Sequence, residues 1–125
     1  TKKNSFSKEG SIVAISSVSS LKGLKSKTAY CASKAALDST VRSLAAELSD
    51  KKIRVNSILK GWVTSDMNLD FIKSNMDLSQ NSDFQKQLLG AIDPIEIANT
   101  VAFLLSDATI SITGTSMIVD GGYSI

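Results

Sequence analysis

Three short apolar runs alternate along this chain with two stretches of helical periodicity. Ser11-Ile12-Val13-Ala14-Ile15-Ser16, just after Gly10, is nearly continuous in apolar residues, as expected for a strand buried on both faces. Ile53-Arg54-Val55-Asn56-Ser57-Ile58-Leu59 is the second run and ends at Gly61. Ser116-Met117-Ile118-Val119 is the third, closed by Asp120-Gly121-Gly122. Between the first two, roughly over residues 28–49, Ala29, Ala32, Ala36, Leu37, Val41, Leu44, Ala45 and Leu48 recur at helical spacing. They predict one long helix with an apolar stripe. A second helix has a marked start: Asp93 suits the N-cap, Pro94 the first helical position, and Glu96 the third, echoing a capping box. Ile97, Ala98, Val101, Ala102 and Leu105 form its predicted buried face.

Strands separated by helices of this length predict parallel pairing with right-handed crossovers, an α/β fold. Parallel geometry places the carboxyl ends of all three strands on one sheet edge, where open α/β folds bind ligands. Ser16-Ser17, Lys60-Gly61-Trp62 and Asp120-Gly121-Gly122 therefore converge there, and Tyr30 joins them from the first turn of the crossover helix.

Composition narrows the class. A chain of 125 residues can form one core and bury roughly two thirds of its extended surface. A hydrophobic content of 42% fits a soluble globular protein, and no apolar run approaches the ~20 residues that cross a bilayer. No secretory signal is evident, and Thr1 in place of Met leaves the true start open. A net charge of +2 with scattered lysines does not argue for nucleic acid. The single cysteine, Cys31, excludes an internal disulfide and agrees with a reducing, cytoplasmic location. It reads as a small buried hydrophobe. With no histidine and one cysteine, zinc or histidine-based catalysis is not expected, and no metal site is predicted.

The chemistry concentrates in Tyr30-Cys31-Ala32-Ser33-Lys34, where the phenol and the ammonium share a helix face at i, i+4. An ordinary helix surface also produces this spacing. Its setting raises it: Ser17 ends the preceding strand, and either a structural hydroxyl or a group that completes a polar trio would sit there. With these residues, the chain resembles the C-terminal half of a short-chain dehydrogenase/reductase, in the manner of its 3-oxoacyl-acyl-carrier-protein reductase-like members. The resemblance runs through Gly10 to Ser17, Ala29 to Leu37, Ile53 to Ser57, Gly61 to Met67, Ile112-Thr113-Gly114 and Val119 to Gly122.

This resemblance implies a three-layer, Rossmann-like, doubly wound parallel sheet of which only the C-terminal half is present. Residues 1–125 would be the C-terminal part of a single NAD(P)-binding domain. The glycine-rich turn and a supporting asparagine would belong to an absent N-terminal half. It further implies hydride transfer between NAD or NADP and a small carbonyl or alcohol substrate. Tyr30 would be the proton donor or acceptor. Lys34 would favour the phenolate and hold the nicotinamide ribose, and Ser17 would donate to the substrate oxygen. Tyr30 would also border the cofactor, and Gly61, Val63 and Ser65 would contact it, Val63 through its backbone and Ser65 through its hydroxyl; an ordinary polar turn is the alternative for the stretch from Gly61 to Ser65. Residues that choose between NAD and NADP would lie in the absent half. Lys60 departs from the proline usual in the family, which bears on the stiffness of that loop. Residues 66–90 would form a lid over the substrate. The long helix and the tail Gly121-Gly122-Tyr123-Ser124-Ile125 would build a homodimer or homotetramer. The edge from Ile12 to Ser16 would await a strand of the absent half. Two further readings stand beside it: a truncated, non-catalytic fragment or assembly module, and a related epimerase or dehydratase. The short distance from Asp120-Gly121-Gly122 to the last residue argues against the latter.

Overall fold

The computed structural model describes residues 9–66, 69–70 and 83–125. Its regular elements are β1 (Gly10–Ser17), α1 (Thr28–Glu47), β2 (Ile53–Lys60), α2 (Pro94–Leu105) and β3 (Ser116–Val119), with short 3₁₀ turns between them. The three strands form one parallel sheet in the order β1-β2-β3. Register matters most at the carboxyl ends: Ser17 pairs with Lys60, and Lys60 pairs with Val119. The three strands thus finish side by side, as parallel pairing requires, and their following loops open on one edge.

Alternation along the strands assigns the layers. Ile12 and Ala14 of β1, with Ile53 and Val55 of β2, pack against Val41, Leu44 and Ala45 of α1 and Leu48 just after it. The opposite face belongs to α2. There Ser11 Oγ donates to Leu104 O at 2.9 Å, and Arg54 Nη1 donates to the same carbonyl at 2.8 Å. The result is a helix–sheet–helix sandwich, the Rossmann-like α/β arrangement expected. Both crossovers step the same way across the sheet, yet their helices lie on opposite faces. They therefore have opposite hands, which corrects the expectation that both are right-handed. The rule depends on a short connection folding back directly, and residues 61–93 between β2 and α2 are far longer than that.

Local signals held where the chain alone sets them. Asp93 accepts from Ile95 N–H at 2.9 Å, Glu96 Oε2 accepts from Asp93 N–H at 2.8 Å, and Pro94 opens α2. At the other end of α2, Arg54 bridges the orphan carbonyls, reaching Leu104 O, Ser106 O at 3.0 Å and Thr109 Oγ1 at 2.9 Å. A cation there complements both the unmet acceptors and the helix dipole.

Three expectations about burial need correction. Ile15 of β1 is 41% exposed, so among the described residues β1 lies at the sheet edge and is covered only in part rather than fully buried. On α1, Ala29, Ala32 and Ala36 face outward, and the inward stripe runs through Lys34, Asp38, Val41 and Ala45. On α2, Ile97 and Leu104 are buried, but Ala98, Ala102 and Leu105 are exposed. Cys31 is half-buried and free. Most of the predicted lid lies outside the described residues.

Candidate active site

A cavity of about 520 Å³ opens at the shared carboxyl edge, lined among others by Ser17, Ser19, Tyr30, Lys60, Gly61 and Val63. Its floor is a small cluster of Val18, Leu59 and Tyr123 with Trp62 packed against it. Ser17 ends β1 and is 6% exposed. Its Oγ accepts from Ser19 N–H at 3.2 Å and donates to Ser19 Oγ at 3.0 Å, so it caps the 3₁₀ turn Val18–Ser20. The hydroxyl therefore has a structural task in this state. Exchanging Ser19 Oγ for an incoming oxygen is all that redirecting its proton requires.

Tyr30 sits in the first turn of α1 and is 43% exposed. No side chain caps that turn, so its backbone amides favour negative charge nearby. The i, i+4 spacing does what it predicted: Lys34 Nζ lies 5.7 Å from the centre of the Tyr30 ring. The same ammonium donates to Ile15 O at 3.2 Å, which moors it to β1. Lys34 flanks the phenol from behind rather than lining the cavity.

The loop after β2 supplies the opposite wall. Gly61 continues the β2–β3 ladder, its N–H donating to Val119 O at 3.0 Å. A side chain cannot be added here, because a Cβ would sit 2.9 Å from Asp120 Cα. Val63 lines the cavity, whereas Ser65 is exposed and not on its wall. Lys60, where the family usually has proline, also lines it. Lys27 Nζ stands 5.1 Å from the Trp62 ring and Lys22 Nζ 3.7 Å from the Tyr123 ring, so cations surround this edge.

Residues 2–124 match a family model described as enoyl-(acyl carrier protein) reductase. An L-xylulose reductase of Caenorhabditis elegans is 42% identical over an alignment of 123 positions that covers 93% of this chain and 46% of that protein. The 3-oxoacyl-[acyl-carrier-protein] reductase of Homo sapiens is 38% identical over an alignment of 120 positions that covers 93% of this chain and 46% of that one. This chain belongs to the short-chain dehydrogenase/reductase family. It spans about half the length of the curated relatives it matches. The fold agrees: a 4-hydroxyisoleucine dehydrogenase solved with NADH superposes with a TM-score of 0.72 at 34% identity, over 93% of this chain and 47% of that one.

Two residues that shape this edge carry no signal in the sequence, Ser19 as the partner of Ser17 and Gln87 beside Gly61 and Gly121. Ser19 has no motif of its own, being one serine in a serine-rich stretch. Gln87 lies in a polar segment without periodicity, and only its contacts mark it out. Among the described residues, no helix is long and apolar enough to cross a membrane.

Asp120 itself is 7% exposed and organises the turn. Oδ1 accepts from Gly122 N–H at 3.0 Å, and Oδ2 accepts from Ser124 N–H at 2.8 Å and Ser124 Oγ at 2.5 Å. Burial pushes the carboxyl up, but the Ser124 hydroxyl and the amides of residues 122–124 together outweigh it and hold the group below its ordinary value. A carboxyl held low in the fold adds stability that is complete above its unfolded value near ~4 and fades as pH falls through the folded one. In Asp120→Asn an amide group would confront Ser124 donors. The variant is expected to lose about 1–3 kcal/mol at pH 7, with the gap to wild type narrowing below about pH 4. Thermal melts of both proteins across that range check it, and a pH-independent gap would count against the account.

Proposed function

We propose that the protein carrying this chain is an NAD(P)-dependent oxidoreductase of small carbonyl or alcohol substrates, with this chain supplying the proton-handling half of its site. The observation that supports this most directly is the Tyr30–Lys34 arrangement: an exposed phenol on the cavity wall, an ammonium 5.7 Å from its ring, and Ser17 on the same wall. The cavity also fits the nicotinamide end of a dinucleotide, since Gly61 and Val63, in the loop after β2, both line it. The NADH-bound relative supports the cofactor class. When bound, the nicotinamide supplies the hydride for reduction or accepts it in oxidation.

The rest is the work of this chain's side chains. Ser17 orients the substrate oxygen by a hydrogen bond, and Tyr30 Oη delivers its proton to the oxygen as an alkoxide forms there. Lys34 then faces the phenolate that remains, and the amides at the start of α1 act in the same sense. Val63 and Ser65 are the proposed contacts of the nicotinamide carboxamide, and Lys34 that of the ribose. Residues 1–125 are proposed to be the C-terminal part of one such domain. The test is dinucleotide oxidation by the purified full-length protein, with NADH and NADPH, over a panel of ketones and aldehydes. Turnover with at least one pair is expected; no turnover and no dinucleotide binding would overturn the reading.

We also infer a homodimer or homotetramer. Ala29, Ala32 and Ala36 turn outward on α1, and Ile118 and Ile125 are exposed at the β3 end, so both surfaces offer close apolar packing. Sedimentation of the full-length protein should show a closed oligomer; a monomer at micromolar concentration contradicts this.

A further inference from the structure

Gln87 is 3% exposed, and its side-chain amide is wholly engaged with backbone. Oε1 accepts from Trp62 N–H at 2.8 Å, while Nε2 donates to Trp62 O at 3.0 Å and to Gly90 O. Its oxygen meets one donor and its two N–H groups meet two carbonyls, so three of the four hydrogen bonds an amide can make are filled. The pairing imitates a strand. It is continued by real backbone, with Ile92 N–H donating to Trp62 O at 3.0 Å and Thr64 N–H donating to Ile92 O at 2.9 Å.

Two glycines make room for this amide. A Cβ on Gly61 would collide with Gln87 Oε1, and one on Gly121, where φ is +57°, would lie 2.9 Å from Gln87 Cγ. The side chain thus threads between the loop after β2 and the turn after β3. In extended backbone, successive residues present their N–H and C=O groups to opposite edges. Trp62 and Thr64 face Gln87 and Ile92, so the Val63 groups face the other edge, and Val63 lines the cavity.

We propose that Gln87 is the positioning residue of this loop: its amide fixes the height and edge of residues 61–63, so that Val63 backbone meets the nicotinamide carboxamide. The inference rests on the oxidoreductase reading above. Gln87 touches neither cofactor nor substrate and acts through Trp62.

The test uses the full-length protein and the dissociation constant for NADH or NADPH, read by nicotinamide fluorescence. In Gln87→Glu an ionised carboxylate would face two carbonyls, and affinity is expected to fall about tenfold near pH 8. Protonation returns one donor while the other oxygen still accepts from Trp62 N–H, so affinity should approach wild type towards about pH 5. Gln87→Met keeps the length without donors and should bind weakly at every pH, with the dinucleotide KM moving more than kcat. If the Glu variant follows wild type at all pH values and the Met variant binds normally, this inference fails while the oxidoreductase reading stands. A wild-type protein that binds neither dinucleotide overturns both. Two variants unfolded at every pH assign Gln87 to the fold alone and also overturn the inference.

Discussion

Tyr30→Phe in the full-length protein is expected to lower kcat by about 10²–10⁴-fold while leaving dinucleotide affinity within about threefold of wild type. The two sides of this expectation come from one geometric fact. The ring is 43% exposed on the cavity wall, so removing its oxygen opens no core cavity and disturbs little packing. What disappears is the proton. The other polar side chains are less suited to replace it: Ser17 and Ser19 are hydroxyls bonded to each other, Lys60 is an amine, and Tyr123, a second phenol, is only 5% exposed in the cavity floor. Steady-state kinetics beside a binding titration separate the two quantities. A variant keeping more than about a tenth of wild-type kcat would falsify the acid–base role of Tyr30.

Lys34→Ala should be nearly as damaging, by a different route. The ammonium stands beside the phenol and is moored to Ile15 O, so the side chain has one partner in the fold and one in the chemistry. The fold partner is a single exposed hydrogen bond, worth about 1 kcal/mol or less, and the protein should remain folded. The chemical partner is the phenolate. Losing a preorganised cation next to developing charge costs about 10²–10³-fold, and kcat/KM should fall in that range. Dinucleotide affinity should weaken as well, because Lys34 is also the proposed ribose contact. Lys34→Arg keeps the charge but spreads it over a planar group that the Ile15 carbonyl holds differently, so only partial recovery is expected. Melting curves with full kinetics on both variants decide the matter; near-normal kcat/KM in Lys34→Ala removes Lys34 from the site.

The resemblance to the short-chain dehydrogenase/reductase family was legible in short pieces of chain because each piece states a local geometry. Tyr30 and Lys34 share a face by helix pitch alone, and the structure brings their groups together as that pitch requires. The start of α2 is equally local: Asp93, Pro94 and Glu96 satisfy the first-turn amides using atoms within three residues. Strand positions were legible for a related reason. A run such as Ile53 to Leu59 can be buried only in the middle of a covered sheet, and β2 is that central strand.

Alanine made the helix faces harder to read. It favours helix on any side and loses little when exposed, so Ala29, Ala32 and Ala36 do not fix a direction, whereas Val41 does. The inward turn of Asp38 could not be read from a pattern that sorts residues by polarity.

By itself, then, the chain determined its parallel strands, the capped start of α2, the Tyr30–Lys34 pair and the glycines at the strand ends. These follow from pitch, pleat and backbone freedom, which depend on near neighbours only. Tertiary structure decided the opposite placement of α1 and α2, the turning of Ser17 onto Ser19, the arrival of Lys60 at the cavity, and the insertion of Gln87 between Gly61 and Gly121. Such features rest on pairings such as Ser11 with Leu104, 93 residues apart, or Gln87 with Trp62, 25 apart. A hydrogen bond of that kind is chosen by whichever groups the packed layers leave facing each other, and no local periodicity encodes it.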